Sequence, residues 1–95
     1  MNISIVVPLF NEEESLPELC SWIDKVMKVN SFTYEVLLID DGSKDCSWEV
    51  VERLASENTH IRGVKFRRNY GKSAALNVGF AKAKGDVVIT MDSSY

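Results

Sequence analysis

What this sequence of 95 residues lacks narrows the field first. No apolar run approaches the roughly 18 residues that a membrane span needs. The stretch from Ile3 to Phe10 has neither the basic flank nor the length of a secretory leader. Two cysteines and one histidine are present. Cys20 and Cys46 show no Cys-x-x-Cys spacing and His60 stands alone, so a zinc centre or a redox pair has no ligand set. Two buried or half-buried thiols on separate predicted helices are the expectation. No repeat, low-complexity tract or linker divides the chain, and 95 residues make one small domain. Such a domain buries somewhat over about 60% of its unfolded surface. A cytoplasmic chain is expected.

The net charge of −3 is unevenly spread. Arg62, Lys65, Arg67, Arg68 and Lys72 fall close together, whereas Glu12, Glu13, Glu14 and Glu18 crowd the start of the first predicted helix. An acidic domain repels a nucleic-acid backbone outside one such patch, so no nucleic-acid partner is expected. A short phosphate-bearing ligand suits the pattern better.

Two segments explain each other. Ile3-Ser-Ile-Val-Val-Pro-Leu-Phe-Asn-Glu-Glu-Glu14 and Val36-Leu-Leu-Ile-Asp-Asp-Gly-Ser43 are each β-branched and aliphatic runs that stop in polar, carboxylate-bearing residues. Buried parallel strands read this way. Ligands of open α/β sheets bind at those carboxyl ends, which makes Phe10, Asn11, Glu12, Asp40 and Asp41 candidates for one site.

Between and after these runs the periodicity predicts helices. Asn11 is a candidate N-cap with Glu14 three residues on, and Leu16, Leu19, Cys20, Ile23 and Val26 or Met27 form one apolar stripe. Pro17 comes early enough in that helix to be tolerated. Ser43 or Asp45 caps a second helix with Trp48, Val51, Leu54 and Ala55 inward. A third helix, about 72 to 84, carries Leu76, Gly79, Phe80 and Ala83 inward, with Gly85 as a left-handed stop. Strands are expected at about 3–8, 34–40, 61–66 and 87–91. The alternation β-α-β-α-β-α-β with right-handed crossovers builds a parallel α/β sheet.

The same residues carry a resemblance. Val-Val-Pro-x-x-Asn-Glu, then Asp-Asp-Gly-Ser, then Arg68-Asn-Tyr-Gly-Lys-Ser-Ala-Ala-Leu76, then Gly85-Asp-Val-Val-Ile-Thr-Met-Asp92 resemble, in order and spacing, the family 2 glycosyltransferases of the GT-A fold. The third stretch is similar to the dolichol- and undecaprenyl-phosphate branch. The resemblance covers essentially the whole chain. It implies a Rossmann-like sheet of about four strands in the order 3-2-1-4 with three helices. It also implies inverting transfer of a sugar from a UDP- or GDP-sugar to a polyprenyl-phosphate or other glycan or lipid acceptor, at the cytoplasmic face of a membrane. Residues 1–95 would be the nucleotide-sugar-binding N-terminal part of such a domain, with the general base for the acceptor beyond it and no activity of its own. The alternative is a non-catalytic nucleotide-binding or protein-interaction module on the same fold.

Individual residues carry competing roles. By resemblance Asp41 contacts the base or ribose; by local chemistry it caps the Gly42-Ser43 turn. Adjacent strand residues point to opposite faces, so Asp40 takes the role that Asp41 does not. Pro8, Phe10, Asn11 and Glu12 form the other wall of the expected nucleotide-sugar site. Phe10 serves either as a flat partner for a base or as a core aromatic, and Glu12 either as a ligand contact or as a first-turn acid. Gly71-Lys72-Ser73 looks like the tail of a P-loop, but Phe66 stands where that motif needs glycine. What survives is Lys72 at a helix N-terminus, where anions are favoured; it aligns with a basic residue that contacts nucleotide in the family. Arg67 and Arg68 suit either the site or a solvated rim. Asp92 aligns with the first acid of the family's Asp-x-Asp, implying Mg²⁺ or Mn²⁺, whereas Ser94 replaces the second acid and weakens the site. A receiver-like domain is excluded, because its paired acids follow strand one. Self-association through the apolar fourth strand is expected.

Overall fold

The computed structural model describes residues 2–93. Its elements are β1 (Asn2–Leu9), α1 (Leu16–Val29), β2 (Thr33–Asp40), α2 (Ser47–Glu57), β3 (Ile61–Lys65), α3 (Lys72–Lys82) and β4 (Val87–Thr90). The four strands form one parallel sheet in the order β3-β2-β1-β4. Both the α/β class and the expected strand order are therefore observed.

The central strands β1 and β2 are almost wholly buried because helices cover both faces. Ile3, Ile5, Val7 and Leu9 of β1, with Val36 and Leu38 of β2, pack under α1 and α2 against Leu16, Leu19, Ile23, Met27, Val51 and Leu54. The intervening residues Val6, Leu37 and Ile39 face the other way, onto Ala75 of α3. A period of two in paired strands thus feeds two cores at once. Pro8 ends β1's pairing toward β4, whose last partnered residue, Thr90, sits opposite Val6. Its missing N–H falls where no ladder bond is needed.

The first helix buries the expected stripe, with Met27 rather than Val26 completing it. Four local expectations need correction. Asn11 does not cap α1: the helix starts five residues later, because Asn11 is in the left-handed region (φ 54) and turns the chain away before Ser15. Residue Cys46, not Ser43 or Asp45, holds the N-cap position of α2, although Asp45 Oδ1 still accepts from the Ser47 amide at 2.9 Å. Phe80 is exposed, since the buried line on α3 runs through Ala75 and Gly79, whose small side chains let the helix approach Val6. Gly85 is not a left-handed stop. Only Gly42 and Gly71 are positive-φ glycines among the described residues, and a Cβ on Gly85 would instead collide with the Ser4 backbone nitrogen.

Cys20 is buried, and burial pushes its thiol up to about 11, leaving it un-ionised near neutrality. Cys46 is exposed rather than buried, because it precedes α2 in the loop.

A polar latch closes the amino ends of the strands. Glu35 accepts from the Ser4 hydroxyl at 2.5 Å, from Arg62 Nη2 at 2.8 Å and from the Lys84 amide at 2.7 Å, and the Gly85 amide donates to Ser4 Oγ at 2.8 Å. The α3–β4 connection is thereby fixed to β1 and β2. Partial burial pushes the Glu35 carboxyl up, but the Ser4, Lys84 and Arg62 donors outweigh it and hold the group below its ordinary value of 4.5. A carboxyl depressed in the folded state stabilises the fold above its unfolded value and loses that contribution as pH falls through the folded one. Glu35→Gln should therefore be less stable than the parent at neutral pH, and the gap should close as pH drops below about 4. Urea unfolding at several pH values measures it; a gap independent of pH would show that the carboxylate charge is not what the latch uses.

Candidate functional site

The carboxyl ends of β1, β2 and β4 and the start of α3 meet at one edge of the sheet. Here the alternation that built two cores also sorts the polar residues. Asp40 follows Val36 and Leu38 onto the α1/α2 side, and Asp41 follows Leu37 and Ile39 onto the α3 side. Both are buried. Asp40 is the turn former: its Oδ1 accepts from the Ser43 amide at 2.8 Å, while Oδ2 has no hydrogen-bond partner. Asp41 does not cap that turn. Its carboxylate reaches across to the loop before α3 and accepts from the Tyr70 amide at 2.7 Å and the Gly71 amide at 3.1 Å.

Lys72, the first residue of α3, extends to within 4.0 Å of Asp92, which follows β4. Both side chains are exposed, so the pair adds little stability. It shows that two candidates from opposite ends of the motif series share one place. Pro8 is buried at the end of β1, and Phe10 beyond it is exposed, which excludes the core-aromatic role.

Asn11 and Glu12 lie on the other side of the edge. The Asn11 side-chain oxygen accepts from the Lys44 amide at 2.8 Å, and the Asn11 backbone N–H donates to Ser43 Oγ at 2.9 Å. Glu12 accepts from the Ser15 hydroxyl at 2.7 Å and donates its amide to Ser47 Oγ at 2.9 Å. These contacts stitch the β1–α1 loop to the β2–α2 loop. Around them an open depression of about 570 Å³ is lined by Asn11, Glu12, Glu13, Glu14, Ser15, Glu18 and Asp45. Its walls are acidic, so it repels phosphate. Arg68 and Lys72 lie on the α3 side, where Arg68 stands 5.0 Å over the exposed ring of Tyr70. Tyr70 and Ser47 escaped the sequence reading: Ser47 bonds a backbone group 35 residues away. The aromatic before Gly71-Lys72 was the available signal for Tyr70.

Among the described residues no group of three or more His, Cys, Asp or Glu could hold a metal ion. Asp92 is the one predicted metal ligand among them, paired with Lys72, and a single paired carboxylate does not make a protein-built metal cage. Ser94 lies outside the described residues.

The model for glycosyl transferase family 2 matches residues 4–93. The chain belongs to that family. Among its curated relatives, undecaprenyl-phosphate 4-deoxy-4-formamido-L-arabinose transferases from Pseudomonas fluorescens (strain SBW25) and from Aeromonas hydrophila are 45% and 48% identical over 92 residues. Those alignments take in 96% of this chain and 27% and 28% of the relatives, so the chain spans little more than a quarter of their length. Solved glycosyltransferases of the GT-A fold share this sheet. TarS 1-349 of S. aureus in complex with UDP superposes with a TM-score of 0.80 at 26% identity, over 98% of this chain and 27% of that one. The mannosyltransferase PcManGT of Pyrobaculum calidifontis, in complex with GDP-Man and Mn²⁺, gives 0.79 at 26% identity over 96% and 27%.

The stitching of the two loops has a direct check. Asn11→Ala removes an acceptor for the Lys44 amide and should cost about 1–2 kcal/mol in denaturant unfolding. The amide shifts of Lys44 and Asp45 should move with it; unmoved shifts would place the loop contact elsewhere.

Proposed function

We propose that this chain supplies the nucleotide-sugar-binding part of a glycosyltransferase that moves a sugar from a UDP- or GDP-sugar to a polyprenyl phosphate, with inversion, at the cytoplasmic face of a membrane. The observation that carries the reading is the meeting of Asp41, Lys72 and Asp92 on the α3 side of the carboxyl edge, in a chain whose family relatives act on undecaprenyl phosphate and whose structural neighbours hold UDP or GDP-Man.

Each residue then has a role. Phe10 offers an exposed apolar ring to the base, with Pro8 buried at the end of β1 before it, and Asp41 keeps acceptor capacity for a ring N–H or ribose hydroxyl beyond its two loop amides. Asn11 and Glu12 form the loop wall beside it. Lys72 balances diphosphate charge at the α3 N-terminus, where the helix favours anions. A Mg²⁺ or Mn²⁺ arriving with the diphosphate would share Asp92 and act as a Lewis acid toward the departing nucleotide. The acidic depression across the edge keeps the phosphates on the α3 side. On this reading the acceptor's general base comes from outside these 95 residues, and the chain alone binds nucleotide and transfers no sugar. A purely binding module, the second reading, differs in that no member of the full-length protein's reaction mixture would be converted.

Titration with UDP and GDP should move amide resonances at Leu9 to Glu12, Asp41 to Ser43 and Tyr70 to Lys72. Lys72→Met should weaken the preferred diphosphate about tenfold, the size of one charge-assisted contact. Shifts confined to the acidic depression, or none at all, would overturn the reading.

We also propose that the isolated chain self-associates through β4. That strand stands at the sheet edge, Val87 and Val88 are exposed, and no charge interrupts residues 87–91. Light scattering should show a mass that falls on dilution and reaches the monomer value in Val88→Lys. A monomer at all micromolar concentrations would refute it.

A further inference from the structure

Residues 40–42 hold the loop between β3 and α3 at three points along its length. Its first amide, Phe66, donates to the Asp40 carbonyl at 2.9 Å. Its middle passes over Gly42, where a Cβ would overlap the backbone of Arg68 and Asn69. Its end is held by the Asp41 carboxylate, which takes the amides of both Tyr70 and Gly71. The next residue is Lys72, which opens α3 and reaches Asp92. Gly71 has φ 103 and open space around its Cβ position, so sterics alone do not lock the turn.

We propose that Asp41 is a positioning residue for Lys72. A carboxylate presents two acceptor oxygens to two successive amides, and through them fixes where α3 begins and hence where the ammonium stands. An asparagine of the same shape would offer one acceptor and turn an NH₂ toward an amide donor. If Lys72 is a diphosphate ligand, as proposed above, Asp41 then governs affinity for the β-phosphate as well as for the nucleoside; its hold on the loop stands without that reading. Gly42 is the second support, and Gly42→Ala, strained at φ 76 and meeting the Arg68 backbone, would shift the loop while keeping the carboxylate's chemistry.

Two measurements on Asp41→Asn and Gly42→Ala test this. The first needs no ligand: amide hydrogen exchange at Tyr70 and Gly71 should quicken about tenfold or more in Asp41→Asn, while the amides of Leu37 and Leu38 keep their protection. The second compares UDP with UMP, whose ratio of affinities reports the β-phosphate contact. Asp41→Asn and Gly42→Ala should each lower that ratio about tenfold, as Lys72→Met does, and Asp41→Asn should add nothing to Lys72→Met. Unchanged exchange at Tyr70 and Gly71 would overturn the proposal. So would equal weakening of UDP and UMP in Asp41→Asn with Gly42→Ala silent, because Asp41 would then act on the nucleoside alone. A parent chain that binds neither nucleotide would sink the functional reading, and the exchange measurement would still decide the role of Asp41. Should Asp41→Asn fail to fold, Gly42→Ala carries the ratio test by itself.

Discussion

Everything at the candidate site depends on the alternation of side chains along two paired, doubly covered strands. With β1 and β2 in register from Asn2–Thr33 to Leu9–Asp40, a residue's parity decides which core it joins. That rule does not stop where the apolar run ends. Asp40 and Asp41 are neighbours in sequence, yet one turns to the α1/α2 side and shapes its own loop, and the other turns to the α3 side and shapes a loop 29 residues away. A slip of one residue would exchange these roles and bury the wrong faces together, so the register that the core enforces also protects the site.

The edge that results is divided by charge. The β1–α1 and β2–α2 loops, joined by Asn11, Ser43, Glu12 and Ser47, enclose carboxylates, while the opposite side gathers Arg68, Lys72 and the amino end of α3. At separations of several ångströms near a surface, each such charge is worth more than thermal energy to a phosphate. On the proposed function a diphosphate would be directed to the side where Asp41, Lys72 and Asp92 meet. The acids crowding the start of the first helix would then disfavour the opposite orientation of such a ligand.

Much of this was legible in the residues, and the limits have physical causes. Apolar runs and three- and four-residue stripes located every strand and helix, because burial acts locally on each element. The strand order came only with the family resemblance. Phe80 was assigned inward since its spacing suits a stripe; it lost the place to Ala75 and Gly79, whose lack of bulk allows α3 to sit on Val6. Asn11 read as a cap because capping is a local rule, whereas its actual partners, the amides of Lys44 and Asp45, are over thirty residues away. Gly85 looked like a backbone-conformation glycine and is a steric one. Spacing cannot tell those two demands apart.

The assignment of Asp41 to a ligand was incomplete for the same reason. A strand-end carboxylate advertises acceptor capacity, and nothing in its neighbours Ile39, Asp40 or Gly42 shows whether that capacity is used by a substrate or by the protein. The structure shows part of it taken by Tyr70 and Gly71, which immediately precede Lys72. The two motifs, Asp-Asp-Gly-Ser and Arg-Asn-Tyr-Gly-Lys, are thus halves of one mechanical unit: Gly42 makes room for the second, Asp41 holds it, and Lys72 is what it presents. Two motifs that meet at one edge need not each touch a ligand. One can be there to place the other.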